Sequence, residues 1–112
     1  MFHRDIRWPN IIKRADEPEI WLLIDWEDAS GCPTKGKPRF SLLDHSPRIQ
    51  EDNHGAEVDI WGIGHLITTS NVADLSEDFK DFGVSIREQS SILNAQQVLE
   101  LMRERDHTDI EI

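Results

Sequence analysis

Apolar positions along the chain change spacing from segment to segment. Ile11-Ile12 and Ile20-Trp21-Leu22-Leu23-Ile24 are two short runs separated by the polar stretch Lys13 to Glu19, which contains Pro18. Such runs around a turn-rich spacer predict a short β-hairpin. Residues 28–47 follow neither a strand nor a helix period and hold Gly31, Gly36, Pro33, Pro38 and Pro47, which predicts a loop of about twenty residues. Loops of that length are usually functional or disordered. From Ala56 to Ile67 the apolar residues cover nearly every face of a helix, the pattern of a helix buried all round. Asp59 interrupts it. A buried carboxylate needs donors, so Asp59 either accepts hydrogen bonds from another segment's backbone or lies on a narrow exposed stripe. Asp74 with Glu77 reads as a capping box for a helix carrying Leu75, Phe79 and Phe82, with Gly83 as its stop. Asn94 with Gln97 starts a last helix, whose Ala95, Val98, Leu99 and Met102 form one apolar stripe. The predicted fold class is mainly α with a short β-hairpin, α+β.

Composition narrows the picture. A chain of 112 residues fits one small domain and excludes a two-domain enzyme. The net charge of −10 argues against a nucleic-acid partner. Residues 1–50 balance eight acidic against eight basic side chains, whereas residues 51–112 hold fourteen against four. Apolar residues interleave that acidic stretch at helical spacing, so it reads as a solvated helical exterior rather than a disordered tail. The single cysteine, Cys32, forms no internal disulfide and no cysteine-based zinc site. It reads as a loop residue in a reducing, intracellular compartment, the cytoplasm with the nucleus left open. No apolar run approaches the roughly 18 residues of a membrane span. Met1 to Trp8 is charged rather than signal-like.

The candidate chemistry lies near the start. His3-Arg4-Asp5 is followed by Asn10, then the hairpin, then Asp25 at its far end. An aspartate near a substrate hydroxyl can accept its proton, and an Asn with a second Asp on adjacent loops supplies hard oxygen ligands to Mg²⁺ on nucleotide phosphates. The string HRDIRWPN, residues 3–10, matches H-R-D-x-x-x-x-N of protein kinases. Asp59-Ile60-Trp61 with Gly64 resembles the D-x-W-x-x-G of a buried central helix in that family.

On these motifs the chain resembles the catalytic, C-terminal lobe of the protein-kinase superfamily, closest to divergent fungal protein-kinase-like proteins. The resemblance implies a kinase-like C-lobe over 1–106 with the N-lobe absent, and a tail at 107–112. Within it would lie a catalytic loop at 3–10, a magnesium turn at 25–27, an activation-like segment at 28–48, a central helix at 55–69 and C-terminal helices at 74–106. It makes Asp5 the base and Asn10 and Asp25 the magnesium ligands. His3 would support the loop, Arg4 would meet an activation-segment anion, and Arg7 would lie near the transferred phosphate. Asp59 and Trp61 would support the catalytic loop. Mg²⁺ and ATP are the implied cofactors.

Several positions depart from that pattern. Asp25-Trp26-Glu27 stands where Asp-Phe-Gly is usual, and carboxyl groups there are like those of small-molecule kinases of the choline and aminoglycoside type. Arg48 occupies the place of a family glutamate, and Ile92 that of its arginine partner, so the ion pair is lost from both sides. No glycine-rich loop or Val-Ala-Ile-Lys strand is found. Apolar surface around Trp61 is expected to face solvent.

The resulting reading is part of an ATP-dependent phosphotransferase acting on a hydroxyl of a protein or small molecule, inactive or nearly so as this chain and complemented by an N-lobe or protein partner. The alternatives are a pseudokinase or regulatory binding fragment, with Ser30, Thr34 and Ser41 as candidate phosphoacceptors, and a small-molecule kinase relative. His45, His54, His65 and His107 lack metal-ligand spacing and read as surface or packing residues. Lys35, Lys37 and Arg39 form a small basic cluster in the long loop.

Overall fold

A computed structural model describes residues 1–17, 19–71 and 75–110, the last five by backbone alone. The chain folds into three helices and a two-stranded antiparallel hairpin, an α+β arrangement. Strands Ile11–Lys13 (β1) and Trp21–Leu23 (β2) pair with Ile11 opposite Leu23 and Lys13 opposite Trp21. Ile24 N–H donates to the Asn10 carbonyl at 2.8 Å, closing the open end of the hairpin. That bond sets Asn10 and the residues after Ile24 side by side. Pro18, expected in the turn, lies outside the described residues.

Helix α1, Glu57–Thr68, buries Val58, Ile60, Gly62, Gly64, His65 and Ile67 and leaves Trp61 half-buried. Helix α2, Glu77–Glu88, is capped by Ser76, whose Oγ accepts from Phe79 N–H at 3.1 Å. Asp74, the expected cap, lies outside the described residues. Gly83 does not stop this helix. It sits where α2 crosses α1, and a Cβ there would come within 2.7 Å of Ile67 Cγ2, so the glycine serves close packing. Helix α3, Ala95–Ile110, starts with the expected reciprocal cap: Gln97 N–H donates to Asn94 Oδ1 at 2.8 Å and Asn94 N–H to Gln97 Oε1 at 2.9 Å. Its apolar stripe is narrower than predicted, with Val98 buried, Met102 half-buried, and Ala95 and Leu99 exposed. The tail expected from residue 107 is helical as far as Ile110.

Ile60 and Ile67 of α1, Phe82 and Ile86 of α2 and Val98 of α3 form the main core, flanked by Ile63, Phe79, Leu93 and Met102. The 28–48 segment lacks regular structure up to a 3-10 turn at Pro47–Gln50, yet it is tied down. Phe2 and Ser30 form an isolated antiparallel bridge, Lys37 N–H donates to the Ile49 carbonyl at 2.7 Å, and Ile49 is fully buried. Arg48 pairs with Glu51 at 3.3 Å and Glu57 at 3.5 Å, while Ile92 is exposed rather than a buried apolar replacement. No helix among the described residues is long and apolar enough to cross a membrane.

Candidate functional site

Helix α1 holds the 3–10 loop through one carboxylate. His3 N–H donates to Asp59 Oδ2 and Arg4 N–H to Asp59 Oδ1, each at 2.8 Å. These are the backbone donors that a carboxylate in the middle of an apolar helix requires. Arg4 takes a left-handed backbone conformation with φ of 74°, which costs a non-glycine residue roughly 1–2 kcal/mol and has to be held by its surroundings. Gly62 gives the loop room, since a Cβ there would lie 2.8 Å from Ile6 Cβ.

The His3 ring joins the loop to the far end of the hairpin. Its Nε2 lies 2.8 Å from the Ile24 carbonyl and its Nδ1 3.1 Å from Asp5 N–H. A carbonyl on one side and an N–H on the other fix the tautomer with the proton on Nε2. His3 thereby sets both Asp5 and the residue before Asp25. Asp25 is the second left-handed residue of the site, with φ of 63°.

Arg4 meets backbone where the resemblance implied an anion. Arg4 is buried, with Nε donating to the Asp28 carbonyl at 2.6 Å and Nη1 to the Lys35 carbonyl at 3.1 Å. These backbone acceptors take the place of an anion. Trp61 stacks on His65 at 5.0 Å, with Arg87 5.6 Å over its ring. These ring partners belong to α1 and α2, and Trp61 also shares the lining of a small cleft with Arg4 and Ile6 of the 3–10 loop. Of the candidate phosphoacceptors, Thr34 is 2% exposed and its hydroxyl donates to the His54 carbonyl. Ser30 is half-buried with its hydroxyl on the Gly31 carbonyl, and Ser41 is exposed.

Asp5, 6% exposed, is the hub of the site. Its Oδ1 accepts from Arg7 Nε at 2.9 Å and faces His45 Nε2 at 2.6 Å, and its Oδ2 accepts from Asn10 Nδ2 at 3.0 Å. Asn10 Nδ2 also donates to the Asp5 carbonyl at 2.8 Å. Both amide protons of Asn10 are thus committed, and its Oδ1 accepts no donor among the described residues. The Asp25 carboxylate makes no hydrogen bond or ion pair among them. It lines a cleft of about 350 Å³ with Asp5, Arg7, Arg39, Ser41 and His45. Lys37 is spent on Asp28 at 3.0 Å.

An amide oxygen and an unpaired carboxylate are hard oxygen donors, the kind Mg²⁺ takes from protein while it keeps waters and phosphate oxygens. The donor set therefore fits that ion. No cluster of three or more His, Cys, Asp or Glu side chains suited to a metal occurs among the described residues, so a cage made wholly of protein ligands is not on offer.

His45 and Asp44 had no sequence signal as site residues, because they reach Asp5 and Arg7 through an irregular segment about 40 positions downstream. Asp44 lies 3.8 Å from Arg7 Nη1 and 3.4 Å from His65 Nε2. Burial is the largest influence on His65 and pushes its imidazole below the ordinary histidine value, with Asp44 opposing. Its Nδ1 has no hydrogen-bond partner among the described residues. The fold thus favours neutral His65. As pH falls through the ordinary histidine value of about 6.5 the unfolded chain protonates first, and stability drops until the folded ring protonates too. Urea unfolding at about pH 7.5 and about pH 5.5 should show a smaller loss for His65→Gln than for the parent. An equal loss would remove His65 from the acid response.

The chain is similar to Crinkler effector protein 8 of Phytophthora infestans, 40% identical over 75 residues that take in 62% of this chain and 12% of that protein. The chain spans about 12% of the length of the curated relative that it matches. No family model matches the sequence. No solved structure matches it. These findings correct the motif resemblance. The relative carries the name of an oomycete effector rather than a fungal kinase-like protein, and neither a kinase family nor a kinase fold stands behind HRDIRWPN. That string fixes only four side chains of the kinase pattern, too few to assign a superfamily.

Proposed function

We propose that this segment is part of an ATP-dependent phosphoryl-transfer site, with Asp5 as the base toward a substrate hydroxyl and Asn10 and Asp25 as the pair that would hold Mg²⁺. The observation that carries this reading is that Asp5, hydrogen-bonded to Asn10, lines one cleft with the unpaired Asp25 carboxylate. Asp5 and Asn10 are hydrogen-bonded side chain to side chain, and Asp25 follows the residue whose carbonyl His3 holds. Asp5 and Asn10 brace each other within the 3–10 loop, and the Asp25 carboxylate is left without a partner among the described residues.

Within this reading Asp5 takes the proton from the acceptor hydroxyl. Arg7 and Asn10 hold its two oxygens in place. Asn10 Oδ1 and the Asp25 carboxylate are left for the cation. The chemistry supplied by the magnesium nucleotide is the phosphoryl group itself and neutralisation of the charge that develops on it. Arg7 and Arg39 are the arginines lining the cleft. Two cations at one end are a sparse clamp for a triphosphate, so turnover by this segment alone is expected to be slow.

Thermal unfolding with ATP and Mg²⁺ tests the proposal. A ligand at ten times its dissociation constant should raise the midpoint by roughly 5–10 °C in a domain of this size. The shift should require Mg²⁺ and be lost in Asp25→Ala. Equal shifts in the parent and the variant, or none in a cooperatively unfolding protein, would overturn the reading.

A further inference from the structure

Where a substrate hydroxyl would approach Asp5, the chain supplies its own ring. His45 Nε2 lies 2.6 Å from Asp5 Oδ1, and its Nδ1 lies 2.9 Å from the Ser41 carbonyl. Both neighbours are acceptors, so the two contacts are hydrogen bonds together only when the ring carries a proton on each nitrogen. A ring N–H donated to a carboxylate at that distance is a charge-assisted bond, the strong kind. The His45 and Asp5 side chains are about 10% and 9% exposed, which shields the contact from water and salt. We infer that residues 39–46 form an internal latch that closes the base, with His45 as its bolt.

Three further side chains hold the segment in that position. Phe40 packs against the His45 ring at 4.5 Å between centroids. Asp44 reaches toward Arg7 on one side and His65 of α1 on the other. Gln50 Nε2 donates to the Pro38 and Phe40 carbonyls, at 3.3 and 3.2 Å, fastening the stretch at its back. By contrast, Leu42 and Leu43, at the outer turn of the latch, are 51% and 85% exposed. The latch is therefore held at its root and at Asp44 and His45, with an exposed outer turn between them, the construction of a segment that loosens when its strongest bond is removed.

The inference rests on the proposed function, because a latch on Asp5 regulates only if Asp5 is the base. Opening must come before the cleft is filled, and the apparent affinity of the protein for MgATP is the intrinsic affinity of the open form multiplied by the open fraction.

Amide hydrogen exchange and a MgATP titration separate the two claims. The amides of Leu43 and Asp44 bond Ser41 inside the latch and that of Phe40 bonds the Lys37 carbonyl at its root, and His45→Ala should speed exchange of the first two about tenfold or more while the core amides of Ile60 and Ile86 stay slow. His45→Gln, which keeps a donor, should fall between the two, and Asp5→Asn should loosen the same amides. MgATP should bind His45→Ala about three- to tenfold more tightly than the parent. Unchanged exchange in both His45→Ala and Asp5→Asn would overturn the latch whatever the nucleotide does. Faster exchange with equal MgATP affinity would overturn its closing of the site. Faster exchange with no MgATP binding in any protein would keep the latch as a structure and end the phosphoryl-transfer reading.

Discussion

Asp59→Ala is expected to lower the unfolding free energy by about 3 kcal/mol, a fall of roughly 10–20 °C in midpoint for a domain of this length. The carboxylate accepts two backbone N–H bonds, from His3 and Arg4, both at 2.8 Å. A hydrogen bond to a charged group contributes about 1.5–3 kcal/mol net, and Asp59 is only half-buried, so water recovers part of the loss. The low end of that range for each bond is therefore the right expectation. The same bond holds Arg4 in its left-handed conformation, and without it the chain can relax to an ordinary one. Asp59→Asn discriminates between causes. An amide offers one acceptor oxygen and turns its own donors toward the other N–H, so it should recover less than half of the loss. Urea unfolding of the three proteins gives the order directly. A loss below about 1 kcal/mol for Asp59→Ala would mean that the loop is held by its other bonds, those of His3 to Ile24 and of Arg4 to the 28–35 backbone.

How much of this was legible in the sequence depended on the reach of each interaction. The reciprocal Asn94 and Gln97 cap and the hairpin were readable because their partners lie close along the chain and local geometry decides them. The need of Asp59 for backbone donors followed from the cost of burying a carboxylate. Gly83 was misread because glycine usually ends helices, whereas here a crossing helix dictates the residue. The guanidinium of Arg4 and the ring of His45 were beyond reach for another reason. Arg4 meets the irregular 28–46 stretch, and His45 belongs to it and reaches back to Asp5, along a path that has no period to read. The motif HRDIRWPN named residues that the fold brings together at Asp5, but proximity of three side chains is a statement about a site and not about ancestry.

Gly64→Ala is the other large expected effect, and here two general tendencies oppose each other. Alanine is favoured over glycine inside a helix by about 1 kcal/mol, so helix propensity alone predicts a more stable protein. Packing predicts the reverse. A Cβ on Gly64 would lie 2.6 Å from the Gly83 carbonyl oxygen, 2.7 Å from Arg87 Cγ and 2.9 Å from Arg87 N. Two of those atoms are backbone and cannot rotate away, so α1 and α2 must separate. Separation opens the core among Ile60, Ile67, Phe82 and Ile86, and overpacking of this kind costs about 1–3 kcal/mol or more. The clash outweighs propensity, giving a net loss of about 2 kcal/mol at the upper end of that range. Gly83→Ala should cost less, since its new Cβ would mainly meet the side chain of Ile67, at 2.7 and 2.8 Å. Thermal unfolding should rank the parent above Gly83→Ala and that above Gly64→Ala, and a Gly64→Ala protein as stable as the parent would mean that the helices do not cross this closely. The cost also reaches the site. Asp59 and Gly62 sit on the same helix as Gly64, the first holding His3 and Arg4 and the second packed against Ile6. A shift of α1 therefore drags the turn that carries Asp5, and MgATP binding should weaken in Gly64→Ala even where the domain remains folded.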